Sequence, residues 1–265
     1  MLVGCVPRKG LILEFASFNN HPGDSTTMYP ILKEIRTIEF ERIQYNSKSD
    51  DYFGIIDGSI PILLSAPHGA KHLRDGRWKG EDEYTSSLAI KLGALTGASV
   101  IFVKNKTEED SNYLPSTRYK DAIRKLVAEL GIKFLADIHG ADITRDYKMS
   151  VGIIDEEDME KCSCPQYKPV IEEAIRVFQY PLFNLDTFTA GSSETVTSFA
   201  RHTCGIEAAQ FEINARYRIV ERKPDSTRAV HGDEPHFKAE EADVLALVEC
   251  LTEMVISINK ETLCL

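Results

Sequence analysis

The sequence predicts an α/β architecture: a mixed, largely parallel central sheet with helices on both faces, residues 1–265 forming a single domain. Three observations predict it. Short, strongly apolar runs alternate along the chain with longer stretches whose apolar residues recur at helical spacing. The run at 60–65 (IPILLS) is continuously apolar and bounded by Asp57-Gly58 and Pro67, as suits a strand covered on both faces. Of 265 residues, 43% are hydrophobic and 27% charged, which excludes a disordered or fibrous chain.

The elements follow in order, and residues 1–60 are the least legible. Residues 10–18 suit a strand. The stretch 19–27 (NNHPGDSTT) is dense in turn formers and reads as loop. Residues 31–43 fit strand or helix equally. After the strand at 60–65, Tyr84, Leu88, Leu92 and Leu95 recur at helical spacing, with Gly97 as the stop. Residues 100–103 are β-rich. The stretch 116–130 is an amphipathic helix with Ile123, Leu126, Val127 and Leu130 on one face and Gly131 after it. Strands are expected at 134–138, 150–154 and 206–213. Helices are expected at 169–178, with Pro169 in the first turn, at 195–202, and at 239–258. In such sheets ligands sit at the carboxyl ends of the parallel strands, which selects the loops after Ser65, Ile138 and Ile213.

Bulk properties exclude several partners. The formal net charge is −10, the wrong sign for a backbone-phosphate binder, so no nucleic-acid partner is expected. No apolar run approaches the ~20 residues that span a bilayer, so no membrane partner is expected either. Residues 1–7 lack a basic leader and a cleavage site. Six cysteines are scattered, and Cys162 and Cys164 are too close for a zinc clamp. They read as free thiols in a cytoplasmic protein.

Four polar clusters fall on the selected loops. Ser65-Ala66-Pro67-His68-Gly69 and Asp137-Ile138-His139-Gly140 each deliver a histidine from a strand into a glycine-bearing turn. Glu81-Asp82-Glu83 opens the next helix, and Gln210-Phe211-Glu212-Ile213-Asn214 closes a strand. Alternation puts Gln210, Glu212 and Asn214 on one side of that strand. Two imidazoles and one carboxylate leave an open position on zinc, as catalytic sites do. Such a metal activates water and polarises an amide carbonyl, while a separate carboxylate moves the proton. Glu212 suits that second task, and Asp137 suits a group that orients His139. Each piece has a plainer use: acidic residues serve helix dipoles, and Glu212 can pair with Arg216 or Arg218. His21, His72, His202, His231 and His236 are not assigned as ligands, and the ligand-rich loop 231–236 is set aside.

Taken as an ordered set, these residues resemble the N-formylglutamate amidohydrolase family. The matching pieces are Pro67-His68-Gly69, Asp82 to Thr85 (DEYT), Asp137 to Gly140 (DIHG), and 205–214 (GIEAAQFEIN) followed by Arg216. The resemblance covers about residues 55–258 and leaves 1–50 unexplained. It implies a zinc-carboxypeptidase-like fold and one divalent metal, zinc, held by His68, Asp82 and His139. It favours Asp82 over Glu81 and Glu83, because Asp82 fits the D-x-x-T pattern. Lys71 stands where the H-x-x-E form of the carboxypeptidases has its glutamate, so the acidic ligand must come from further along. Glu212 falls at the general-base position. Arg118 would hold a substrate carboxylate, with Arg145, Asn214 and Arg216 as further candidates. The implied activity is hydrolysis of a small N-acylated amino acid such as N-formylglutamate. The alternatives are a peptidase acting on cell-wall or γ-linked peptides and a catalytically silent binding domain of the same fold.

Overall fold

A computed structural model describes residues 28–152, 167–177, 183–184, 194–227 and 236–262. The strand expected at 10–18, the loop at 19–27 and most of the loop 231–236 lie outside them, as do Cys5, Cys162, Cys164 and Cys264. Cys204 and Cys250 are free thiols. Among the described residues no helix is long and apolar enough to cross a membrane.

The described residues open with α1 (Pro30–Arg42), β1 (Gln44–Lys48), β2 (Phe53–Ile56) and β3 (Ile60–Ala66). A hairpin of β4 (His72–Arg74) and β5 (Arg77–Lys79) precedes α2 (Thr85–Thr96), β6 (Ala98–Val103), β7 (Asn105–Lys106) and α3 (Arg118–Leu130). Then come β8 (Phe134–Ala141), β9 (Met149–Gly152), α4 (Tyr167–Val177), β10 (Phe183–Asn184), α5 (Val196–His202), β11 (Glu207–Asn214), α6 (Ala215–Arg218) and α7 (Glu241–Thr262). The ambiguous stretch 31–43 is helical, because Leu32, Ile35 and Glu39 fall on one buried stripe and Pro30 starts the helix.

The seven-stranded sheet has the order β10-β9-β11-β8-β3-β6-β2. Its four central strands, β11, β8, β3 and β6, are mutually parallel. On either side, β2 and β9 run antiparallel to their central neighbours, so the sheet is mixed as expected. Alternation divides the strands between two cores. Ile62, Leu64, Val100, Phe134, Ala136, Ile138, Phe211 and Ile213 pack on the side carrying α1, α2, α4 and α7. Leu63, Ile101, Val103, Leu135 and Ala208 pack on the side carrying α3 and α5. That second side also receives the polar positions Ser65, Asp137, His139, Gln210 and Glu212, towards the carboxyl ends of the strands.

One boundary differs in a way that matters. His139 lies inside β8 rather than after it, because pairing with β11 continues through Gly140–Ile213 to Ala141–Asn214. The continuing ladder outweighs the turn signal of Gly140.

The start of α3 also differs slightly from the expected Ser116. Thr117 is the N-cap, its hydroxyl accepting from Lys120 N at 3.2 Å while also meeting Ser111 Oγ at 3.1 Å. Thr117→Ala should lower unfolding stability by about 1 kcal/mol, read as a shift in the denaturant midpoint.

Candidate metal centre

The turn after β3 carries His68, and β8 carries His139. Both rings are buried, 7% and 2% exposed. Each spends its Nε2 on a fully buried carboxylate. His68 Nε2 is 3.0 Å from Asp110 Oδ1, and His139 Nε2 is 3.0 Å from Asp137 Oδ2. The opposite nitrogens, both Nδ1, converge on Asp82 Oδ2 at 3.5 Å and 3.4 Å. The structure thus brings His68, Asp82 and His139 together, with ligand atoms within 4.8 Å of one another. This donor set fits a divalent cation: two imidazole nitrogens and one carboxylate oxygen, with both rings oriented from behind by carboxylates.

The carboxylates behind the rings are themselves fixed. Asp137 Oδ1 accepts from Ser65 Oγ at 2.8 Å, and Thr197 Oγ1 approaches Oδ2 at 3.4 Å. Asp110 accepts from Arg74 Nε at 2.6 Å and from Asn112 N at 3.0 Å. Asn112 Nδ2 lies 2.9 Å from His139 Nε2, and its Oδ1 accepts from Val196 N at 2.7 Å, so one loop contacts both rings. Burial opposes charge throughout. For His68 the hydrogen bonds to Asp110 and Asp82 outweigh burial and raise its pKa. For His139 burial is outweighed by the Asp137 charge and hydrogen bond, and the pKa rises strongly. Asp82 resists burial through both histidines and stays well below the usual carboxylate range.

Sequence reasoning set His72 aside and did not single out Asp110. The structure buries both. His72 stacks on His68 with centroids 4.0 Å apart and rings 8° from parallel. Burial, with His68 beside it, lowers the His72 pKa to about 3, so this ring is neutral. His68, His72 and Asp110 are also close enough to share a cation. The Arg74 guanidinium already occupies Asp110 there, so we read this group as support for His68. Asp110 lies in a plain polar run, Glu108 to Asn112, and nothing in that run marks it; only tertiary contact does.

The acidic trio separates cleanly. Glu81 accepts from Thr227 N and Oγ1 at 2.6 and 2.7 Å. Glu83 pairs with Arg222 at 3.2 Å, both side chains nearly inaccessible. Only Asp82 faces the histidines. Its backbone N–H donates to His68 O at 2.8 Å, which ties the two segments directly.

Glu212 is half-buried on β11, directly opposite His139 in the parallel register. Gln210 Nε2 donates to Glu212 Oε1 at 2.8 Å. A cavity of about 300 Å³ adjoins the site, lined by Asp82, Gly140, Thr144, Arg216, Arg218 and Arg222 among others. Arg216 is exposed on its wall. Asn214 is spent on local structure: its side chain accepts from Arg216 N and donates to Arg145 O, both at 2.9 Å. Arg145 is exposed on the loop whose Asp142, Ile143 and Thr144 line the cavity. Arg118 is not brought to the cavity. Its guanidinium donates to Glu109 at 3.1 Å and to Asp50 O at 2.9 Å, and it lies over the Tyr52 ring.

No protein-family profile matches the chain, and no curated protein matches it in sequence. Among solved structures, the N-formylglutamate amidohydrolase from Ralstonia eutropha JMP134 superposes with a TM-score of 0.54 at 12% identity. That alignment covers 79% of this chain and 97% of the other. A chain assigned as a carboxypeptidase A from Shewanella denitrificans OS-217 superposes with a TM-score of 0.51 at 9% identity, over 87% of this chain and 68% of the other. At such identities the likeness establishes a shared carboxypeptidase-like fold, the one the sequence resemblance implied.

The trio makes a direct test. Asp82→Ala should abolish stoichiometric zinc, measured by elemental analysis after dialysis, and Glu81→Ala should keep it. Glu83→Ala should keep zinc but lose about 3–5 kcal/mol of stability, because it breaks a buried ion pair with Arg222. Asp110→Asn and Asp137→Asn should each weaken zinc binding by roughly 10–100-fold in chelator competition.

Proposed function

We propose that this chain is a metal-dependent amide hydrolase acting on a small N-acylated amino acid, with His68, Asp82 and His139 holding one zinc ion. The supporting observation is the paired locking of Nε2 on Asp110 and Asp137, which leaves both Nδ1 atoms facing one carboxylate. When bound, such a metal acts as a Lewis acid and makes water more acidic.

The protein's own groups supply the rest. Glu212, one strand over from His139 and steadied by Gln210, takes the proton from the attacking water. It then returns that proton to the departing nitrogen, so the amine leaves neutral. The cavity volume, near 300 Å³, has room for an amino-acid-sized group. Arg216, on the wall of that cavity, is suited to hold a substrate carboxylate. Asn214 supports it by capping the turn that presents it.

Glu212→Gln keeps size and the contact with Gln210 but cannot accept a proton. It should keep its zinc and its melting temperature while kcat falls by ~10²–10⁴ on N-formylglutamate. A fall in melting temperature with kcat intact would leave Glu212 a structural residue. Wild-type protein that retains no zinc and cleaves no N-acyl amino acid would be a silent binding domain instead. Arg216→Ala should raise KM for carboxylate-bearing substrates and spare kcat, as lost ground-state binding does. The same measurement on Arg118→Ala decides whether the anion sits instead beside α3.

A further inference from the structure

Residues 1–50 lie outside the sequence resemblance, yet α1 reaches the centre. Its buried stripe runs Leu32, Ile35, Glu39, two apolar residues and then a carboxylate with no exposed surface. An ionisable side chain on the core-facing stripe of a helix needs a reason. Glu39 Oε1 accepts from the backbone N–H of Tyr84 at 3.0 Å and also from Tyr45 Oη.

Tyr84 is the point of interest. It stands two residues after Asp82 and is the N-cap of α2, with φ 67° and ψ −3°. Apart from Asp75 at a hairpin tip, it is the only described non-glycine residue with positive φ. Thr85 N donates to Asp82 O at 3.2 Å, so Asp82 to Thr85 is a tight turn with Tyr84 in a slot that usually takes glycine. A bulky residue keeps such a conformation only where its surroundings over-determine it. Here α1 supplies the surroundings from two directions. Glu39 holds the Tyr84 N–H. Arg36 pairs with Glu221, whose backbone accepts from Tyr84 Oη at 2.5 Å and donates back to it at 3.1 Å. The Glu39 contact does from another helix what the glutamate of a capping box does within one: it satisfies the N-cap N–H and sets a carboxyl at the helix N-terminus.

We propose that Glu39 is a positioning residue for the metal centre: by holding Tyr84 in its left-handed turn it aims Asp82 at His68 and His139. Helix α1 is then part of the site rather than an appendage to it. The proposal rests on the metal reading given above. It also accounts for tyrosine standing where glycine would be relaxed, since the phenol ties the turn to Glu221, a contact that glycine lacks.

The test is zinc affinity of the full chain, measured with zinc ion alone against a chromophoric chelator. Glu39→Ala should weaken zinc binding by roughly 10–100-fold, the range for losing a support behind a ligand. Glu39→Gln still presents a carbonyl oxygen to Tyr84 N and should bind within a few-fold of wild type. In a Tyr84→Gly background the turn needs no clamp, so adding Glu39→Ala should change affinity less than it does in wild type. If Glu39→Ala fails to fold, Glu39→Met keeps the volume and carries the same measurement. Wild-type affinity in a folded Glu39→Ala or Glu39→Met protein would overturn the proposal. Equal losses in the wild-type and Tyr84→Gly backgrounds would overturn it as well, since they would mean a general structural role. Zinc failing to bind even the wild type would remove the metal reading itself, an outcome distinct from the other two.

Discussion

Everything at the centre depends on two buried carboxylates behind two imidazoles. A free imidazole can present either nitrogen, and a ring in a loose pocket can flip. Asp110 and Asp137 remove that freedom by engaging Nε2 of His68 and His139 at 3.0 Å each. With Nε2 committed, Nδ1 is the atom left to face Asp82. Neither carboxylate has any exposed surface, so neither exchanges its imidazole partner for water. Burying them is costly unless every oxygen is used. Ser65, Thr197, Arg74 and Asn112 N supply the remaining donors, which explains a polar cluster on an otherwise apolar sheet face.

The sheet makes this arrangement possible. Four adjacent parallel strands end together, and the period of two places Ser65, Asp137, His139, Gln210 and Glu212 on one face. The register then sets neighbours: Ser65 opposite Asp137, Gln210 opposite Asp137, and Glu212 opposite His139. A shift of one residue in β11 would send Glu212 into the core and bring Phe211 out of it, to the face of His139. The large apolar side chains of Phe211 and Ile213, both fully buried, therefore specify the polar geometry on the other face.

Much of this was legible in the sequence, and the reasons differ by element. The central strands are short apolar runs, α3 carries strong periodicity, and α2 and α7 are longer, largely apolar stretches, so their positions are read within a few residues. His68, Asp82 and His139 are legible because each stands beside a strand end or helix start with turn residues around it. Asp137 is legible as a support because it lies two residues from His139 on the same strand face. Asp110, His72 and Glu39 are not. Each acts across the fold, and a carboxylate in a polar run or on a weakly amphipathic helix looks like any solvated one. The arginines show the same limit. Arg118 sits at a helix start as expected, but the nearby Glu109 and Asp50 carbonyl claim it. Local sequence displays the donor and hides the competing acceptor.

The gathering of Asp82, Glu83 and Glu212 raises a last physical question, since like charges in a buried site repel. Arg218 answers part of it. Its guanidinium is 4% exposed and is held by backbone carbonyls rather than by a carboxylate. Nε donates to Glu83 O at 2.9 Å, and Nη1 donates to Ala141 O and Ile213 O, each at 3.1 Å. Burial lowers its pKa, and the charges of Asp82, Glu83 and Glu212 push back. Arg218 thus adds a positive charge beside all three without being consumed by any, alongside Arg222 on Glu83, while it pins the acidic turn to the ends of β8 and β11. Gly140 belongs to the same device. A Cβ there would come within 2.5 Å of the Arg218 guanidinium, so only glycine lets that charge lie flat against the strand that carries His139. The glycine that reads in sequence as a turn signal is, in the fold, the seat of the cation that lets the acidic groups come together.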